Sequence, residues 1–220
     1  MPKSLLILGG TGFIGKHVAK SAIKQDYETY IICRSDPTIE EKIQGCTYII
    51  CDLIKKEDIK ILENYKFNYV INLSGDIMHN DFNEGGTSVI EIHLIALINL
   101  LATLSRDKLL GFVQIGSSDE YGISTAPQNE EQQELPFSSY SYAKFAATHF
   151  IRYLNRAEGF PGKILRPFLI YGPGQDFSNK KQGMVSIYME SLIKKNIIKI
   201  KGSLERTRDQ VYIDDLINFL

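Results

Sequence analysis

SLLILGGTGFIGKHVAKSAIK, residues 4–24, decides the fold. A five-residue run, Ser4–Leu8, stops at a glycine-rich turn, and an amphipathic stretch of helical period follows without a linker. A short, nearly all-apolar strand belongs in a parallel sheet, buried on both faces. The alternation recurs downstream. Strands are expected at Thr29–Cys33, Cys46–Ile50, Tyr69–Leu73, Gly111–Ile115 and Lys163–Arg166. Helices are expected near Ile14–Gln25, Lys56–Asn64, Thr87–Ser105 and Ser139–Asn155. Such strand–helix–strand units build an α/β protein with a doubly wound parallel sheet.

The turn itself, Gly9 to Gly15 with Phe13 and Ile14 opening the helix, has the strand–turn–helix context of a dinucleotide fingerprint. Gly9 allows the tight turn, Gly12 lets backbone N–H groups approach a pyrophosphate, and Gly15 lets the helix pack against the strand. The helix N-terminus adds positive potential. A glycine turn of purely structural purpose is the competing reading. After the second strand, Cys33, Arg34 and Ser35 stand where a ribose-binding acid is usual. Arg34 suits a 2′-phosphate, so NADP is expected with NAD left open; a solvated surface arginine is the alternative.

Tyr140 and Lys144 form YxxxK in a helix-compatible stretch, and the four-residue spacing puts both on one face. A nearby ammonium is expected to favour the phenolate and bring proton exchange with a substrate hydroxyl or ketone toward neutral pH. Tyr142 competes, but its i+4 residue is Ala146. With 12 tyrosines in the chain, YxxxK also arises by chance. Upstream, Gly111–Ile115 delivers GSSDEYG at a strand's carboxyl end, where open α/β sheets build their sites. Ser117 there is placed to hydrogen-bond a substrate oxygen, or to serve as a loop hydroxyl or helix cap.

The totals narrow the partners. The 220 residues, 44% hydrophobic, suffice for one main core, and 25 basic against 26 acidic side chains give a net charge of −1. Nothing in that balance calls for nucleic acid or an anionic membrane surface. Val89 to Leu104, the richest apolar stretch, is interrupted by Glu91, His93 and Asn99, and a soluble chain is expected. Cys33, Cys46 and Cys51 suggest a reducing, cytoplasmic setting. His17, His79, His93 and His149 are scattered, and no metal is expected.

GGTGFIG, SSDEYG, YxxxK, LRPFLIYGPGQ and RDQVYIDD occur in an order that resembles the extended short-chain dehydrogenase/reductases of the NAD-dependent epimerase/dehydratase group, over Leu5 to Asp215. The resemblance implies a Rossmann-type domain over 1–166, with 167–220 as a partial, C-terminally truncated substrate lobe. It implies Ser117, Tyr140 and Lys144 as the catalytic set, Asp119 in a position that often holds an acid, and Ser118 beside the substrate. Lys144 would also grip the nicotinamide ribose. Asp52 and Leu53 would meet the adenine, and Leu73, Ser74 and Gly75 would form a cofactor loop.

Arg208, paired with Asp209, would hold a nucleotide diphosphate, with a solvent salt bridge as the alternative. His79 is placed to approach the sugar or to make ordinary surface hydrogen bonds. His93 stands where the family often has an asparagine. Arg166 and Tyr171 would shape the fold. The substrate implied is a nucleotide-diphosphate sugar, and the assembly a homodimer built on the two long helices.

Asp119 is one methylene shorter than the glutamate of the dehydratases, which favours reduction of a 4-keto-6-deoxyhexose over 4,6-dehydration or 4-epimerisation. A truncated NADP-binding module of weak activity is the reading from another class. Substrate contacts are expected in PFLIYGPGQDFSNKKQG, residues 167–183.

Overall fold

The computed structural model describes residues 2–176, 183–198, 200, 205 and 207–220. The chain divides into two compact units, Met1–Arg166 and Pro167–Leu220. Residues 177–182, part of the stretch expected to touch substrate, lie outside the described residues.

In the first unit β1 (Ser4–Leu8), β2 (Glu28–Cys33), β3 (Cys46–Ile50), β4 (Tyr69–Asn72), β5 (Gly111–Ile115) and β6 (Gly162–Leu165) form one sheet. Its order is β3-β2-β1-β4-β5-β6, and every pairing is parallel. All of β1 is buried, as an apolar strand at the centre of a two-sided sheet must be. The strand order reverses between β1 and β4, which is where open sheets of this kind leave a crevice at the strands' carboxyl ends.

The helices are α1 (Phe13–Lys24), α2 (Lys56–Ile59, continued by a 3-10 turn Lys60–Asn64), α3 (Gly86–Ile90), α4 (Ala96–Thr103) and α5 (Ser139–Glu158). Leu97, Leu100 and Leu101 of α4 and Ala147, Ile151 and Leu154 of α5 meet Leu6, Val70 and Phe112 of the sheet in one buried cluster. Each large side chain so removed from water contributes about 1.5–3 kcal/mol. A capping box starts α5: Ser138 Oγ accepts the Ser141 N–H, and Ser141 Oγ accepts the Ser138 N–H. That fixes the N-cap two residues before Tyr140.

The helix expected over Thr87–Ser105 is helical throughout but not uniform, because a π turn, Glu91–Ile95, separates α3 from α4. Its widened winding carries His93 into the interior, 4% exposed. By length and composition Gly86–Thr103 is also apolar enough to cross a bilayer, despite the polar residues that interrupt it. Its stripe of Val89, Ala96, Leu97, Leu100 and Leu101 is buried within the first unit, so the apolarity is that of a helix packed on a sheet.

The second unit contains a parallel pair that the periodicity did not reveal, β7 (Leu169–Tyr171) with β8 (Gln210–Tyr212), as well as α6 (Met184–Ile193) and α7 (Ile213–Phe219). Gly172, at φ 157°, has no room for a Cβ beside the buried Ile213.

Candidate active site

A cleft of about 460 Å³ opens at the carboxyl ends of β1, β2 and β4. Gly9 and Gly12 form its floor, Arg34 one wall, Asp52 and Leu53 another, and Leu73, Ser74 and Gly75 the side nearest β5. Phe13, Ile14 and Gly15 lie in the first turn of α1 rather than among the lining residues. That helix has Gly12 as its N-cap, no side-chain cap and no acid in its first turn, which leaves its leading N–H groups for an anion. Gly9 adopts φ +74°, and a Cβ there would come within 2.9 Å of the Leu73 backbone. A Cβ on Gly15 would run into the Gly9 carbonyl. The turn therefore fits a dinucleotide pyrophosphate, and the cleft volume is in the range of small-molecule sites.

The ribose end is of mixed charge. Ser35, Asp36 and Glu41 line it with Arg34. Asp36 is already paired with Lys42 at 2.9 Å, and Glu41 accepts the Thr38 N–H at 3.0 Å. Asp52 Oδ1 accepts the Ile54 N–H at 3.1 Å and so shapes its own loop. Ser74 is held from below, its N–H and hydroxyl both donating to Asn72 Oδ1 at 3.1 and 2.6 Å.

At the end of β5, Ser117 caps a 3-10 turn, Ser118–Glu120. Its Oγ accepts the Asp119 N–H at 3.1 Å. Tyr140 is 6% exposed. Burial pushes its phenol up to about 12; the neighbouring Ser117 hydroxyl opposes this, while Asp119 and Glu120 reinforce it. The expected ammonium-stabilised phenolate near neutral pH is therefore corrected: the ring is stripped of water and the hydroxyl stays protonated.

Lys144 does lie beside it, with Nζ 5.9 Å from the centre of the Tyr140 ring, but is committed to the Ile115 carbonyl at 2.9 Å. Burial lowers its ammonium to about 8, against the pull of Glu120.

Two histidines clasp the phenol. The His79 ring stands edge-on at 5.0 Å and the His93 ring at 5.5 Å. Burial, with help from Lys144, holds His93 down at about 3, so the ring is neutral; its Nε2 bonds the Asp76 carbonyl at 2.8 Å. Asp76 and Gly75 in turn line the cofactor cleft, and a Cβ on Gly75 would overlap the His93 ring. The cleft and the phenol are thus linked through one imidazole. His79 reaches outward, with Nδ1 3.4 Å from Ser138 Oγ and Nε2 3.7 Å from Asp119 Oδ2. Ser118 is half-buried beside Asp119.

The structure therefore brings together Ser117, Tyr140, Lys144, Asp119 and His79 at one strand end. Arg208 belongs to the second unit, exposed just before β8, where it donates to the Thr207 carbonyl at 2.8 Å. Arg166 shapes the fold of the first unit: it pairs with Glu134 at 3.0 Å and lies 4.4 Å from the centre of the Tyr121 ring.

One buried acid, Glu120, was missed from sequence, although Ser117-x-x-Glu120 has capping-box spacing. Among groups of histidine, cysteine, aspartate and glutamate in the described residues, none is arranged to hold a metal.

The description "NAD dependent epimerase/dehydratase family" belongs to the family model that matches residues 5–220. A Methanocaldococcus jannaschii protein provisionally named as a UDP-glucose 4-epimerase is 26% identical over 216 residues, covering 96% of this chain and 70% of that one. The dTDP-4-dehydro-6-deoxyglucose reductase of Escherichia coli is 25% identical over 221 residues, covering 97% and 70%. Among solved structures, the UDP-glucose 4-epimerase of Thermotoga maritima with UDP-glucose superposes with a TM-score of 0.86 at 24% identity, covering 98% of this chain and 71% of that one.

Proposed function

The chain belongs to the NAD-dependent epimerase/dehydratase family, and from that premise we propose that it reduces the keto group of a nucleotide-linked 4-keto-6-deoxyhexose, with Tyr140 as proton donor. The observation that carries this reading is the phenol itself: buried, protonated, beside Ser117 and linked through His93 to the glycine-floored cleft. A protonated phenol is suited to give a proton to a carbonyl oxygen, the direction that reduction needs.

A bound nicotinamide would supply the hydride to the keto carbon. Gly9, Gly12 and the first turn of α1, with Phe13, Ile14 and Gly15, would hold the pyrophosphate. Arg34 would take the 2′-phosphate of NADP, with Lys42 drawing Asp36 away from it. Asp52, Leu53, Leu73, Ser74 and Gly75 would enclose the adenosine and the bridging ribose.

Ser117 would orient the substrate oxygen and Tyr140 would release its proton to it, so that the C=O becomes a CH–OH. Lys144 would stabilise the phenolate left behind until water reprotonates it. His79, Ser118 and Asp119 would contact the sugar, and Arg208 would hold the diphosphate. Asp119 Oδ2 lies 3.7 Å from His79 Nε2, and its side chain, one methylene shorter than a glutamate, favours reduction over dehydration. Three free thiols, Cys33, Cys46 and Cys51, support a cytoplasmic setting, and a homodimer through α4 and α5 completes the proposal.

The test is to supply dTDP- and GDP-linked 4-keto-6-deoxyhexoses with NADPH and to follow its oxidation and the product by mass. Stoichiometric oxidation, lost in Tyr140→Phe, is expected. Epimer interconversion without net NADPH consumption would instead support 4-epimerisation, the reaction named for the M. jannaschii relative. NADPH binding without turnover of any sugar would leave a binding module.

A further inference from the structure

The strand exit that carries Ser117 is gripped from two sides by side chains of opposite charge. Lys144 Nζ donates to the Ile115 carbonyl at 2.9 Å, and Glu120 Oε1 accepts the Ser117 N–H at 2.8 Å. Gly116 lies between the two grips, and a Cβ there would run into the Glu120 carboxylate and come within 2.9 Å of Arg166 Cγ. Glu120 is completely buried, 0% exposed. Its Oε2 and the Thr148 hydroxyl are both buried without a conventional hydrogen-bond partner among the described residues. A fully buried carboxylate is costly to keep, and a cap alone does not require one.

We propose that Glu120 is a positioning residue for this site, fixing Ser117 through its backbone N–H and balancing the buried ammonium of Lys144 across Gly116. The proposal rests on the reading of Ser117, Tyr140 and Lys144 given above. Electrostatics agree with the geometry: Glu120 is the one group that pulls the Lys144 ammonium up against burial. Burial raises the Glu120 carboxyl, while the Ser117 N–H, Thr148, Arg166 and Lys144 favour its ionised form. Tyr140 on its own helix and His93 from the π turn also lie near Lys144, both neutral at physiological pH, and the Arg166 guanidinium acts on Glu120 from beside Gly116. Glu120, although burial sets its carboxyl above the usual range, is the acidic group that faces Lys144 at this point of the core.

Two substitutions separate its tasks. E120Q keeps an oxygen to accept the Ser117 N–H but removes the charge, whereas E120V removes both. In E120Q the Lys144 ammonium should titrate roughly one pH unit lower, read directly by NMR of the lysine side chains, with the basic limb of the kcat pH profile moving equally. E120V should fall about tenfold below E120Q in kcat at every pH, because Ser117 is no longer held. An E120Q whose Lys144 titration and basic limb superimpose on the parent would overturn the proposal, as would an E120V that matches E120Q in kcat. If E120V does not fold, E120Q alone decides. Full turnover in Tyr140→Phe would instead sink the underlying reading of the site, and the lysine titration would still report on Glu120.

Discussion

Lys144→Met is the most informative single change, because its effect on stability has a sign that depends on pH. Lys144 is 5% exposed, and burial brings its ammonium from 10.5 to about 8. The folded state therefore releases this proton before the unfolded chain does. Between those two values the unfolded chain binds more protons, so stability rises with pH there and not below. At about 1.4 kcal/mol for each tenfold in proton affinity, the full gap amounts to about 3 kcal/mol, of which about 2.5 kcal/mol is gained between pH 7 and pH 10.

Methionine has a similar length and no proton to lose, so the variant lacks this gain. It also leaves the Ile115 carbonyl without its N–H donor, a loss that is the same at both pH values and cancels in the comparison, while the pull of Glu120 on the cation is already contained in the value of about 8. Urea unfolding of both proteins at pH 7 and pH 10 is the assay. The parent should gain about 2.5 kcal/mol relative to the variant over that range. A difference between the two that does not change with pH would show that the ammonium is solvated, and the argument from burial would be wrong.

Gly15→Ala should abolish NADPH binding by calorimetry and cost about 1–3 kcal/mol of stability, since the new Cβ meets the Gly9 carbonyl. Arg34→Ala should weaken NADPH about tenfold or more and leave NADH nearly unchanged; equal losses for both cofactors would remove the 2′-phosphate from its role. Glu134→Ala should destabilise by about 3 kcal/mol, because Arg166 and Arg152, paired with it at 3.0 and 2.8 Å, would lose this carboxylate while keeping their charges. The Glu134 carboxyl lies below its usual range: burial acts against this, but its backbone N–H, Arg152 and His149 prevail. Its stabilising contribution should be full at neutral pH and lost as pH falls through the acid range, a loss that urea melts would show is absent from the alanine variant.

The six strands of the main sheet were legible because each is a short apolar run, and β1, β3 and β5 have the expected ends. Elsewhere the ends shift by one residue, as where Gly162 rather than Arg166 belongs to β6, Arg166 being turned aside to Glu134. The β7–β8 pair was invisible, since three-residue strands set far apart in the chain have no period to read. Tyr140 and Lys144 were picked out by their four-residue spacing and Ser117 by its place at a strand's carboxyl end, with the family resemblance implying their roles, and the structure brings the three to one strand end. The protonation of Tyr140 was not, because it depends on burial, which a motif does not encode. His93 could be recognised as a departure from the family pattern. That it would stand on the Tyr140 ring depends on a π turn that no local propensity announces.

That wide turn has a consequence for how this chain tolerates length changes. Five residues of a π turn sweep nearly the same rotation, about 400°, as four of an α-helix, so deleting one residue from 91–95 would restore regular winding and leave Gly86–Ile90 facing α5. The imidazole alone would lose the place that the wide winding gives it beside the phenol. A deletion within 96–103 would instead turn one side of the helix by about 100° against the other, so a library of single-codon deletions across 86–103 should leave stability nearly intact at the π turn and collapse it in α4.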